Sequence, residues 1–161
     1  PRIAGLDTAY LEATLHAFAS GRRQSGMMQP VAAALEEGQV QRLARHFAGA
    51  PVAGSGSADI SIDIDEAAVA RGRRLALEGD GSRRIPACVG CHGPDRQDRN
   101  RMYPEIAGQH PAYLALQLEL FARGGRGGTV YAPLMERAAA GLQPGEISDL
   151  AAYYGSLPPG S

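Results

Sequence analysis

Apolar residues recur at helical spacing in the second half of the chain. Leu114, Leu118 and Phe121 stand at positions i, i+4 and i+7, so they share one face of a helix. Pro111 precedes them at a place that suits the first position of a helix, because no backbone N–H is needed there. The pattern predicts a helix over residues 111–123.

Two further segments carry the signals of helices. Residues 65–77 begin with acidic side chains and end near Gly79, in keeping with the start and stop signals of a helix. A last helix is predicted to begin near Pro144, with an apolar stripe along one face. Residues 60–64 alternate between apolar and polar side chains, and we interpret them as the extended end of a linker. The sequence therefore predicts an all-α fold.

Both cysteines of the protein lie in the pentapeptide Cys88-Val89-Gly90-Cys91-His92. C-x-x-C-H is the spacing at which two thiols attach covalently to a haem and the next histidine binds its iron. No further thiolate exists to complete a Cys-rich zinc site. Three other interpretations stay open: a thioredoxin-like redox dithiol, a local disulfide, and part of a mixed Cys/His metal site. The redox interpretation requires a strand before the motif, whereas the preceding segment has the pattern of a helix followed by a loop.

A haem iron bound by one histidine needs a second axial ligand for electron transfer, and methionine is a ligand that raises the reduction potential. Met102 is ten residues after His92, too near for the chain to pass around a porphyrin. Met135 is 43 residues after His92 and follows a proline and a leucine. We therefore predict that Met135 is the second ligand, although most methionines only fill gaps in a core.

The helical pattern occurs twice along the chain. Residues 1–23 match residues 104–126 at an offset of 103, and 12 of the 23 positions are identical. After a four-residue difference in loop length, the match continues at an offset of 107 and pairs Met28 with Met135. Met135 thus occupies a repeated position, which favours a ligand over a residue that fills a gap.

The repeat also predicts where a first C-x-x-C-H would stand, about a dozen residues before Pro1. We interpret residues 1–50 as the distal half of a first haem domain whose attachment half is missing from this chain. The alternative is a first domain that lost its haem and keeps Met28 as a core residue. Residues 51–59, rich in Pro, Gly and Ser, are predicted to be a linker, and residues 60–161 a complete domain.

Composition and charge exclude several classes of function. Sixteen basic and 17 acidic residues leave a net charge of −1, so no overall field attracts nucleic acid or an anionic membrane. No run approaches the roughly 18 apolar residues of a membrane span, and we expect a soluble or peripherally associated protein. Arginines at 83–84 and within 96–101 flank the C-x-x-C-H motif and could form a basic docking rim or an ordinary solvated surface.

The order of these motifs is similar to that of a known family. A helix is followed by C-x-x-C-H, the segment Tyr-Pro-Glu-Ile-Ala-Gly-Gln at 103–109, a second helix, a glycine-rich loop, Pro133-Leu134-Met135 and a final helix. In this order the chain resembles a class I cytochrome c, and its tandem arrangement resembles the di-haem c-four type of bacterial periplasmic carrier. The resemblance covers nearly the whole chain, apart from the missing first motif. It implies a class I cytochrome c fold in tandem, with a truncated first domain.

The resemblance also implies roles for individual residues. Cys88 and Cys91 would form the thioethers of one haem c, His92 would be the proximal ligand of its iron and Met135 the distal one. The backbone carbonyl of Pro104 would accept a hydrogen bond from the other ring nitrogen of His92 and so fix the orientation of the ring.

A second haem is implied only if the missing first motif is supplied, and Met28 would then bind its iron. Haem propionates are buried anions that need hydrogen-bond donors. We expect Arg126 and Tyr113 to serve this purpose, and further candidates are Gln109, Gln117 and Tyr131.

Members of this family are electron carriers of the periplasm rather than enzymes. The resemblance therefore implies redox partners such as a membrane oxidase, a bc-type complex or a periplasmic dehydrogenase, with no nucleic acid and no membrane insertion. One alternative is the cytochrome subunit of a dehydrogenase that oxidises a sulfur compound or an alcohol, which would form a stable complex. Another is a haem enzyme or gas sensor, which would need an open or replaceable distal position.

Overall fold

The chain folds into short helices joined by loops. The computed structural model describes residues 1–52, 65–93 and 100–159, and within them the chain forms eight α-helices, one 3-10 turn and no strand. The helices are α1 (Thr8–Ala19), α2 (Met28–Ala33), α3 (Glu37–Gly49), α4 (Glu66–Glu78), α5 (Val89–His92), α6 (Pro111–Ala122), α7 (Ala132–Ala139) and α8 (Pro144–Ser156), and the 3-10 turn is Gly81–Arg83. The all-α prediction is confirmed, and residues 60–64 lie outside the described residues.

The predicted helix boundaries agree with the structure to within one residue. Asp65 caps α4, because its side chain accepts a hydrogen bond from the N–H of Ala67 at 2.9 Å. Gly79 ends the same helix with a φ of +66°, a backbone conformation that favours glycine. Pro111 stands at the start of α6, as its missing N–H allows.

The sequence repeat corresponds to a repeat of helices. The first helices of the two copies, α1 and α6, each contain 12 residues, and the last helices, α3 and α8, each contain 13. Both α3 and α8 begin with a capping box, formed by Glu36 with Gln39 and by Gln143 with Glu146. The same local chemistry therefore starts the same helix twice.

The larger core lies where α8 packs against α4 and α6. Leu114, Leu150 and Tyr154 are buried there around Ala76. A Cβ built on Gly72 of α4 would overlap the backbone carbonyl of Asp149, so the two helices approach closely only because this residue is glycine. A smaller core in the first half is formed by Leu6, Tyr10, Leu11 and Ala44.

Candidate functional site

The two cysteines and the histidine of the C-x-x-C-H motif lie on one helical turn. Cys88 immediately precedes α5, and the N–H of His92 donates to the carbonyl of Cys88 at 2.9 Å. His92 is buried, with 9% of its surface exposed, whereas Cys88 is half-buried and Cys91 is exposed. Neither cysteine forms a disulfide. The turn thus presents two thiols and one imidazole at the spacing that haem attachment requires.

The environment of Cys88 does not suit a redox dithiol. Burial raises the pKa of its thiol to about 11, whereas the nucleophilic cysteine of a redox C-x-x-C motif has a lowered pKa. The segment before the motif is α4 followed by a 3-10 turn, and not a strand. Among the described residues, no group of three or more His, Cys, Asp or Glu side chains is arranged to hold a metal ion.

The imidazole of His92 is oriented by a backbone carbonyl. Its Nδ1 lies 2.8 Å from the carbonyl oxygen of Pro104. Because a carbonyl only accepts hydrogen bonds, Nδ1 carries the proton and Nε2 the lone pair in the neutral ring. A lone pair on Nε2 is what a metal ligand requires, and the carbonyl fixes the direction in which it points.

A chain of aromatic contacts connects His92 with the segment that carries Met135. The rings of His92 and Tyr103 are 6.3 Å apart, and Tyr103 meets Tyr131 edge to face at 5.1 Å. The carbonyl of Tyr131 accepts a hydrogen bond from the N–H of Met135 at 3.4 Å. Met135 itself is half-buried on α7 and packs against the cluster around Phe121.

The other methionines of the sequence analysis lie elsewhere. Met102 is half-buried in the turn before Tyr103, and its N–H donates to the side chain of Asn100 at 3.0 Å. Met28 begins α2 in the first half of the chain, where its N–H donates to the hydroxyl of Ser25 at 3.2 Å. Met28 therefore belongs to the first copy of the repeat and not to the residues around His92.

Two arginines meet at the junction of the two halves of the repeat. Arg23, only 7% exposed, donates from Nη2 to the hydroxyl of Tyr113 and to Oε1 of Gln117, both at 3.0 Å. Arg126 donates to the hydroxyl of Tyr10 at 3.0 Å. The sequence analysis expects Arg126, Tyr113 and Gln117 to donate hydrogen bonds to a haem propionate. In the structure Tyr113 and Gln117 bind Arg23, whose backbone is bridged to that of Arg126.

The same junction contains two residues that the sequence reasoning missed. Arg23 and Tyr10 are the counterparts of Arg126 and Tyr113 at the offset of 103, so the repeat itself was the signal that could have identified them. The other two candidates lie apart: Gln109 exchanges hydrogen bonds with the backbone of Arg2, and Tyr131 contacts Tyr103.

Neither Arg23, which is buried, nor Arg126, which is half-buried, has a carboxylate partner among the described residues. Each guanidinium lies 4.5 Å from the ring centroid of a phenylalanine, Phe18 for Arg23 and Phe121 for Arg126. Burial lowers the pKa of Arg126 from its ordinary value. Because a buried cation with only neutral acceptors is unfavourable, the junction fits an anionic group such as the carboxylates of a haem.

The arginines that flank the C-x-x-C-H motif are largely engaged within the protein. Arg83 pairs with Asp80 at 2.7 Å and with Glu146 at 2.6 Å, and Arg101 pairs with Asp7 at 2.9 Å. Arginines 96 and 99 lie outside the described residues. A basic docking rim would therefore have less free charge than the sequence alone suggests.

Several curated relatives are similar over nearly the whole chain. The thiosulfate dehydrogenase electron acceptor of Stutzerimonas stutzeri is 35% identical over 98% of this chain and 70% of its own length. The corresponding protein of Thiomonas intermedia is 37% identical over 80% of this chain and 57% of its own length. Cytochrome c4 of Pseudomonas aeruginosa is 30% identical over 98% and 75%. The chain thus spans between about half and three quarters of the length of these relatives. No family model matches it.

Solved structures share the fold and identify the family. Cytochrome c4 of Acidithiobacillus ferrooxidans matches with a TM-score of 0.81 at 33% identity, over 97% of this chain and 87% of that chain. Reduced cytochrome c4 of Pseudomonas stutzeri matches with a TM-score of 0.82 at 27% identity, over 96% and 83%. No described helix has the length and apolar character to cross a membrane. The chain belongs to the cytochrome c4 family, di-haem electron carriers of the class I cytochrome c fold that bind haem c covalently.

Proposed function

We propose that this chain carries single electrons through one haem c that is attached to Cys88 and Cys91 and bound by His92 and Met135. The hydrogen bond between Nδ1 of His92 and the carbonyl of Pro104 carries this proposal, because it directs a buried imidazole beside both thiols. When bound, the haem supplies a one-electron couple at its iron. The chain supplies the ligands, the burial and the orientation.

Two ligands from the protein suit a carrier better than an enzyme. With both His92 and Met135 as ligands, the iron would have no open position for a substrate. Tyr103 and Tyr131 support this arrangement, because their contact joins the two segments that carry the ligands. The function is therefore electron transfer to a partner protein, without chemistry on a small molecule.

We also propose that Arg126 and Tyr113 donate hydrogen bonds to a haem propionate. The half-buried Arg126 donates only to a neutral acceptor and has no carboxylate partner among the described residues, which supports this role. By the repeat, Arg23 and Tyr10 would act in the same way towards a first haem, whose iron Met28 would bind. This second part applies only where a first C-x-x-C-H motif is supplied.

The division into domains that the sequence predicts is part of the same proposal. Residues 1–50 form the distal half of a first domain, residues 51–59 a linker and residues 60–161 a complete domain. The equal lengths of the first and last helices of the two copies support this division, whereas α2 has six residues and α7 eight.

The comparisons favour a dehydrogenase as the redox partner. Two relatives are thiosulfate dehydrogenase electron acceptors, at 35% and 37% identity. We propose that this chain accepts electrons in the periplasm from an enzyme that oxidises a sulfur compound such as thiosulfate, and passes them to a membrane oxidase or bc-type complex.

A second candidate is a permanent cytochrome subunit of such an enzyme. The solved structure of thiosulfate dehydrogenase from Marichromatium purpuratum matches 98% of this chain at 36% identity and a TM-score of 0.82, but the match covers only 32% of that longer chain. Gel filtration of this protein mixed with a thiosulfate dehydrogenase separates the two cases. Reduction by the enzyme and thiosulfate without co-elution indicates a free carrier, and stable co-elution indicates a subunit.

The haem site is tested by spectroscopy of the purified protein. A pyridine-haemochrome assay is expected to give one c-type haem for the chain as printed. The oxidised protein is expected to show the weak charge-transfer band towards the red that reports a bond between methionine and iron. A protein without covalent haem would contradict the proposal and return the motif to the redox and metal interpretations.

A further inference from the structure

Arg83 connects the segment before the C-x-x-C-H motif with the segment after Met135. Its Nε donates to Asp80 at 2.7 Å, and its two terminal nitrogens donate to the carboxylate of Glu146 at 2.6 and 2.9 Å. One of these nitrogens also lies 3.4 Å from the carbonyl oxygen of Gly141. Such a forked geometry is the most directional form of an arginine–carboxylate pair.

The two connected segments also touch through their backbones. A Cβ built on Gly141 would lie 2.8 Å from the carbonyl oxygen of Arg83 and 3.1 Å from Cγ1 of Ile85. Ile85 is 3% exposed and exchanges two backbone hydrogen bonds with Asp80, at 2.7 and 2.9 Å. The loop that leads into Cys88 is therefore closed by its own backbone hydrogen bonds, and it packs directly against the loop between α7 and α8.

Helix α7, which carries Met135, is eight residues long and depends on packing for its position. It packs chiefly against α6, through the cluster of Phe121, Ala132 and Ala139. Its C-terminal end continues into Leu142, whose N–H donates to the carbonyl of Ala139 at 3.0 Å, and then into α8. The contacts of Arg83 with Gly141 and Glu146 thus add a polar anchor to the loop just after α7, beside the packing of Ala139 and Leu142.

We propose that Arg83 is a positioning residue that keeps the α7–α8 loop, and through it Met135, in the place from which the methionine binds iron. This inference rests on the proposed function, because it takes Met135 as a ligand. Arg83 pairs with Asp80 in its own loop, and it acts on Met135 through Gly141 and Glu146. Its loss would loosen the methionine side of the site.

Arg71 provides a matched control. It also pairs with one carboxylate of its own segment, Asp65 at 3.8 Å. Its Nε and Nη2 donate to the carboxylate of Asp149 in α8 at 2.7 and 2.8 Å. Both arginines are exposed enough to be replaced without opening the core, at 56% for Arg71 and 36% for Arg83. Only Arg83 reaches the loop after α7.

The experiment measures the binding of imidazole to the oxidised holoprotein, since imidazole competes with methionine for the iron. Arg83→Ala is expected to raise the affinity for imidazole about two- to fivefold, the range of one exposed ion-pair network. Arg71→Ala is expected to leave the affinity unchanged, while both variants unfold at similar urea concentrations. Arg83→Lys, which keeps the charge but not the fork, is expected to restore part of the wild-type value.

An unchanged imidazole affinity in Arg83→Ala would overturn the proposal. An equal rise in Arg71→Ala would overturn it as well, because the effect would then be one of general stability. The proposed function fails separately, if the wild-type protein lacks covalent haem or the charge-transfer band of a methionine ligand.

Discussion

Arg23 and Arg126 form an antiparallel backbone bridge between the two halves of the repeat. Each guanidinium donates to a tyrosine of the opposite half, Arg23 to Tyr113 and Arg126 to Tyr10, both at 3.0 Å. The contact is reciprocal, because each member has a counterpart at the offset of 103. The consequence is a concentration of positive charge at the junction of the two halves, with Arg23 buried and Arg126 half-buried.

Replacement of Arg126 by glutamine is expected to lower the reduction potential of the haem, by an amount on the order of tens of millivolts. A cation beside a haem carboxylate stabilises the reduced form, which carries one positive charge fewer than the oxidised form. The measurement is a potentiometric titration of the wild-type and Arg126→Gln proteins. Arg123→Gln is the control, because Arg123 lies on the same loop with 78% of its side chain exposed.

Equal potentials in wild-type protein and Arg126→Gln would show that the Arg126 cation does not act on the haem. A fall of the same size in Arg123→Gln would attribute the effect to overall charge instead.

Replacement of Met135 by leucine is expected to abolish the charge-transfer band and to let carbon monoxide bind the reduced protein. Leucine has a similar volume and no sulfur, so the packing around Phe121 should be kept while the ligand is lost. Met102→Leu is the control, because Met102 lies in the turn that precedes Tyr103. Loss of the band in Met102→Leu with its retention in Met135→Leu would reverse the assignment.

The helices could be predicted because their signals are local. The apolar spacing of α6 and the acidic start of α4 depend only on residues close together in the sequence. Each predicted boundary agrees with the structure to within one residue. The repeat added long-range information, since it showed that the first and last helices of the two copies are equivalent. The C-x-x-C-H motif could be recognised from its spacing alone, without knowledge of the fold.

The contacts between distant segments were beyond the reach of the sequence. Arg83 and Glu146 are separated by 63 positions, and no periodic pattern links a charged residue in a loop with one in a later helix. The sequence allows the arginines around the motif to form a basic rim, but ion pairs engage two of them, Arg83 and Arg101. Pairing of surface charges depends on which loops the fold brings together, and these pairs cannot be predicted from the composition of the chain.

Acid is expected to weaken the loop before the C-x-x-C-H motif. Hydrogen bonds from Ser82 and then from Arg83 lower the pKa of Asp80 from 3.8 to about 2. A carboxyl group with a lowered folded-state pKa stabilises the protein above its unfolded-state pKa, and this contribution is lost as the pH falls from about 4 to about 2.

The measurement is urea unfolding of wild-type protein and Asp80→Asn at a series of pH values. The difference in stability between the two proteins is expected to be constant above about pH 5 and to shrink between about pH 4 and 2. A difference that does not change over this range would mean that Asp80 is not held in its charged form by Ser82 and Arg83.

Replacement of Gly72 by alanine is expected to destabilise the protein by about 1–3 kcal/mol, as for other overpacked helix contacts. The added Cβ would overlap the carbonyl of Asp149 and force α4 away from α8, against which the core residues Leu150 and Tyr154 are packed. Gly145→Ala is the control, because no atom other than those of its chain neighbours and the adjacent helix backbone lies within 4 Å of a Cβ at that position of α8. Alanine there is expected to be neutral or to stabilise the helix by up to about 1 kcal/mol. Urea unfolding compares the two variants, and a Gly72→Ala protein as stable as Gly145→Ala would show that α4 and α8 can separate without loss.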